Sequence, residues 1–84
     1  MITKQSIMDF WKAFGDDIII EYGFDDTELG DLDSMSQTEL NNLLQYLVYL
    51  AVNSSCGGNY EDMYYYLAED CGYDIDTVGF LLEI

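Results

Sequence analysis

"MSQTELNNLLQYLVYLAVNSS", Met35 to Ser55, reads as a long amphipathic helix, and the rest of the chain can be placed around it. Ser36 followed three residues later by Glu39 matches a capping box, with Met35 and Leu40 as the hydrophobic staple around it. Leu40, Leu43, Leu44, Leu47, Val48, Leu50 and Ala51 make an apolar face broad enough for a helix central to its fold, ending near Asn53. "NSSCGGN" then reads as a loop.

Moving towards the N-terminus, "EYGFDDTELGDLDSMS" (Glu21 to Ser36) holds six carboxylates, Glu21, Asp25, Asp26, Glu28, Asp31 and Asp33, and no base. It forms an acidic connector into the central helix. Before it, "ITKQSIMDFWKAFG" carries Ile7, Phe10, Trp11 and Phe14 at i, i+3, i+4 and i+7, with Thr3 able to cap, Gly15 able to terminate, and Ile2 with Ile7 as a staple. "DDIIIEYGF" is ambiguous. Its three Ile favour a short strand over Ile18–Tyr22, while Asp17 and Gly23 suit one short helix.

Moving towards the C-terminus, Asn59 can cap and Gly72 can end another helix. Its wheel puts Tyr60, Met63, Tyr64, Leu67 and Cys71 on one face and Glu61, Asp62, Tyr65, Tyr66 and Glu69 on the other. "DIDTVGFLLEI" can cap at Asp74 or Asp76 and run to the end, with Ile75, Val78, Leu81 and Leu82 inward and Gly79 a weak point. The expected fold is mainly α: one small domain over residues 1–84, a bundle of about four helices, with at most a short extended segment near Ile18–Tyr22.

Composition sets the limits on function. The 84 residues carry 17 Asp and Glu against two bases, Lys4 and Lys12, for a formal charge of −15, yet half the residues are apolar. Disorder needs low hydrophobicity as well as charge, so a folded domain is expected, with a thin core. Solubility alone needs a net charge of about 2–8 in magnitude. Nucleic acid and anionic membranes would be repelled, which leaves a basic protein surface or a cation as partner. No signal peptide or apolar run of membrane-spanning length is visible, and two cysteines, Cys56 and Cys71, are too few for a disulfide scaffold. A reducing cytosol is the expected setting, with both thiols acting as small hydrophobes.

Catalytic chemistry is sparse. There is no His, no phosphate-cradling loop and no tetrahedral zinc set, so neither an enzyme nor a cofactor is expected. The acidic stretches do not match a calcium loop in either register. From Asp31, the EF-hand pattern fails at Met35 and Ser36; from Asp74, it fails at Val78 and runs past Ile84. "CGYDIDTVGFLL" has the outline of a helix–turn–helix, but Glu61, Asp62, Glu69, Asp70, Asp74 and Asp76 around it would repel a duplex, so it reads as packing.

The one-signed charge can itself be the working part. A nucleic-acid-binding enzyme presents a groove of Lys and Arg, and a rigid carboxylate-studded protein can occupy it. Asp62 and Glu69, seven residues apart, would lie about 10.5 Å apart along an α-helix, near the roughly 10 Å of three steps along one DNA strand. Tyr65 and Tyr66 among the carboxylates could stack on Arg of a partner, whereas Tyr46, Tyr49, Tyr60 and Tyr64 are expected to fill the core.

"IIIEYGFDDTELGDLDSMSQTELNNLLQYLVYL" and "GNYEDMYYYLAEDCGYDI" resemble segments of the ArdA-type antirestriction proteins, in which an apolar strand leads into an acidic turn and a Glu-rich capped helix. The likeness covers about half of a chain much shorter than that family. It implies a DNA-mimicking inhibitor from a phage or mobile element, aimed at a restriction enzyme or, as with small acidic anti-CRISPR proteins, at a CRISPR effector. The candidate partner-binding residues are therefore Glu21, Asp25, Asp26, Glu28, Asp31, Asp33, Glu61, Asp62, Tyr65, Tyr66, Glu69, Asp70, Asp74 and Asp76. The partner would be a basic nucleic-acid-binding protein of a bacterial host. The rival expectations are a helical adaptor or toxin-neutralising module without mimicry, and a calcium-responsive protein.

Overall fold

A computed structural model describes residues Met1–Glu83. Helix α1 (Lys4–Tyr22) leads through two 3₁₀ turns (Asp26–Leu29 and Leu32–Ser34) into α2 (Gln37–Ser54). Helix α3 (Tyr60–Tyr65) continues into a π-helical turn (Tyr66–Asp70), and α4 (Ile75–Leu82) follows. No strand occurs among the described residues. The mainly-α expectation holds, but the last helix does not run on as expected: it stops at Leu82 with Glu83 extended as its C-cap, and Ile84 lies outside the described residues.

Helix α2 is central: it packs along α1 and also against α3 and α4. Its start follows the sequence, with Ser36 Oγ accepting from Glu39 N at 3.2 Å and Glu39 Oε1 accepting from Ser36 N at 3.1 Å. Leu44, Leu47, Val48, Leu50, Ala51 and Val52 are buried in one core with Ile7, Phe10, Ile18, Leu29, Met63, Leu67, Val78 and Leu81.

Helix α1 departs from expectation. Thr3 caps it reciprocally with Ser6, and the Ile2–Ile7 staple is buried, but Gly15 does not end it. The helix runs on through the three Ile to Gly23, which takes the left-handed conformation (φ 68°) and donates its N–H to Ile19 O at 2.8 Å. Ile18 continues the stripe of Ile7, Trp11 and Phe14 at i+11, so burial of that stripe overrides the strand propensity of an isolated Ile run. Gly15 is buried because the Trp11 indole lies over it: a Cβ there would stand 2.8 Å from Trp11 Cε2. No extended segment forms over Ile18–Tyr22.

Near the C-terminus, Asn59 caps α3 and Asp74 caps α4. Gly72 (φ 72°) ends the π turn, with Tyr73 N donating to Leu67 O at 3.1 Å. Ile75, expected inward, is 74% exposed because it occupies the first turn of α4, while Val78 and Leu81 are buried.

Candidate interaction surface

All 17 carboxylates are exposed, and no polar or charged residue is buried. Their local roles divide them. Asp25 Oδ1 accepts from Thr27 N at 3.1 Å, and Asp31 accepts from Asp33 N at 3.1 Å and Ser34 Oγ at 2.8 Å. Asp33 pairs with Lys4, tying the connector to the start of α1. That carboxylate holds the Lys4 ammonium pKa above its ordinary value. Asp74 accepts from Thr77 N at 3.2 Å, and hydrogen bonding to Thr77 depresses its pKa. These four acids hold the backbone in place.

Glu21, Asp26, Glu28, Glu61, Asp62, Glu69, Asp70 and Asp76 form no side-chain hydrogen bond among the described residues. Of the candidate residues, these are the carboxylates that carry no internal side-chain hydrogen bond. Glu21, Asp26 and Glu28 sit at the end of α1 and in the first 3₁₀ turn. Glu61 and Asp62 lie in the first turn of α3, Glu69 and Asp70 in the π turn, and Asp76 in the first turn of α4. Because the chain turns π-helical at Tyr66, the α-helical rise that set Asp62 and Glu69 about 10.5 Å apart does not carry through to Glu69.

The tyrosines sort differently from the sequence expectation. Tyr65 is exposed as expected, but Tyr66 packs on α1, its ring centroid 4.9 Å from Phe14 and 6.3 Å from Phe10. Three residues past buried Met63, it lies only about 60° around the helix from it. Burial pushes its pKa up to about 12. Conversely Tyr46, Tyr49, Tyr60 and Tyr64, expected in the core, are exposed, because smaller aliphatics already fill the interior.

A groove of about 490 Å³ between α1 and the π turn is lined by Ser6, Asp9, Tyr66, Asp70, Cys71 and Tyr73, among others. Burial raises the Cys71 thiol pKa, which favours the thiol over the thiolate. Cys56 and Cys71 are both free, and burial likewise raises Cys56. No group of three or more His, Cys, Asp or Glu among the described residues is arranged to hold a metal ion, and no described helix is long and apolar enough to cross a membrane.

What this surface offers chemically is acceptor oxygens and ring faces, on a backbone fixed by side-chain caps. No protein-family model, curated protein or solved structure matches the chain.

Proposed function

We propose that the protein is a non-enzymatic inhibitor that binds the basic nucleic-acid-binding surface of a host enzyme, such as a restriction enzyme or CRISPR effector, in place of the nucleic acid. The observation that carries this reading is the exposure of all 17 carboxylates against two lysines on a chain with an apolar core. Self-repulsion at −15 is a standing cost to folding that solubility does not require. The connector carboxylates most available to a partner are Glu21, Asp26 and Glu28.

The test is capture of target enzymes from bacterial lysate on the immobilised protein, followed by competition with duplex DNA or RNA for each captured enzyme. Association should slow by roughly tenfold or more as salt rises above physiological strength, and nucleic acid should be displaced. The Glu21→Gln/Asp26→Asn/Glu28→Gln variant should associate more slowly with an unchanged fold. Affinity indifferent to salt, or simultaneous binding of nucleic acid, would overturn the reading. A helical adaptor without mimicry is favoured by one observation, the exposed tyrosines of α2, and predicts that indifference.

A further inference from the structure

The outward face of α2 carries Asn42, Gln45, Tyr46 and Tyr49 at i, i+3, i+4 and i+7, and these four line a groove of about 410 Å³. Tyr46 and Tyr49 are 48% and 41% exposed, and Tyr22, at the end of α1, is 46% exposed. The Tyr46 ring is held from behind: it meets Phe24 edge-on at 5.7 Å, and Phe24 in turn meets Trp11 at 6.1 Å. Burial, with the charges of Glu21, Tyr49 and Tyr46, raises the Tyr22 pKa.

We infer that this tyrosine face is a docking surface for arginine side chains of the basic partner; the choice of partner rests on the proposed function. No charged residue lines the groove, and the chain as a whole carries a formal charge of −15, so a basic partner is drawn to the molecule. Gln45 Nε2 already donates to Phe80 O at 2.7 Å and Glu83 O at 3.0 Å, so the residue's remaining capacity is its acceptor oxygen. Ring faces plus amide acceptors suit a planar, weakly hydrated guanidinium with five donors better than a compact ammonium. A second copy of the chain is a poor occupant, because two −15 molecules repel.

The test compares octa-arginine with octa-lysine, equal in charge, at about 0.15 M ionic strength. Affinity is followed by titration and the tyrosine ring signals by NMR. Octa-arginine should bind more tightly and shift the Tyr22, Tyr46 and Tyr49 rings. The Tyr46→Ser/Tyr49→Ser variant should lose roughly five- to thirtyfold in octa-arginine affinity, with octa-lysine little changed. Tyr46→Phe/Tyr49→Phe, which keeps the ring faces, should retain the preference. Equal binding of both peptides, or an arginine preference with silent rings, overturns this inference and leaves the proposed function standing. Failure of both peptides to bind overturns both.

Discussion

Gly15 and Gly79 are both helical glycines, and they should respond to alanine in opposite directions. Alanine at Gly79 meets nothing within 4 Å and should stabilise by up to about 1 kcal/mol, since Gly is a poor helix former. At Gly15 the same gain is opposed by the Trp11 ring 2.8 Å away, and overpacking of that kind costs about 1–3 kcal/mol. Gly15→Ala should therefore lower the urea midpoint while Gly79→Ala raises it. Tyr66 supplies a second prediction. With its pKa raised to about 12, its neutral form is favoured by folding, so that contribution is intact below pH 10 and fades as pH rises towards 12. Tyr66→Phe should flatten the fall of the urea midpoint in that window. The sequence identified the caps at Thr3, Ser36 and Asn59, and narrowed the last to Asp74 or Asp76, because each needs only one side chain and its near neighbours. It misplaced Gly15 and Tyr66 because their environments are made by contacts: an indole folded back over one, and α1 packed against the other.

Among the elements, α2 was the easiest to read from sequence. Periodicity over many turns identifies α2 unambiguously, and its capping box adds a measurable increment: Ser36→Ala should cost about 1 kcal/mol in equilibrium unfolding. The exposed Lys4–Asp33 pair should matter far less, with Lys4→Met leaving the urea midpoint nearly unchanged. The π turn was not legible. A helical wheel assumes one fixed angle per residue, and a widened turn with Cys71 N bonded to Tyr66 O at 3.0 Å breaks that assumption beyond Tyr66. The same widening accompanies a Tyr66 ring seated on Phe14 and a fully buried Leu67. The connector was legible as acidic but not as structured; its two 3₁₀ turns depend on Asp25 and Asp31 acting as caps for their own backbone.

For the whole molecule, charge and core work against each other. An extent of 32 × 29 × 21 Å holds a formal charge of −15, so screening should stabilise the fold. Each kcal/mol of relieved repulsion would raise Tm by roughly 4–8 °C for a chain of this size. A thermal melt in rising sodium chloride should show an increase, and a flat or falling Tm would mean the acids are spaced widely enough not to repel. The candidate surface was legible only as composition. One-letter counts reveal the sign of the charge. Which carboxylates are tied up in caps, and which tyrosines face outward, depends on how the helices pack.

Trp11 is the chain's one tryptophan, and it stands where α1 meets the first residue past the α1 cap, beside Phe24. Its fluorescence is therefore a built-in reporter of whether the acidic connector is seated, separate from the helical signal that circular dichroism records. If the connector detaches before the helices melt, emission will shift to the red at lower denaturant than ellipticity is lost. Coincident transitions would mean that connector and helices come apart as one unit.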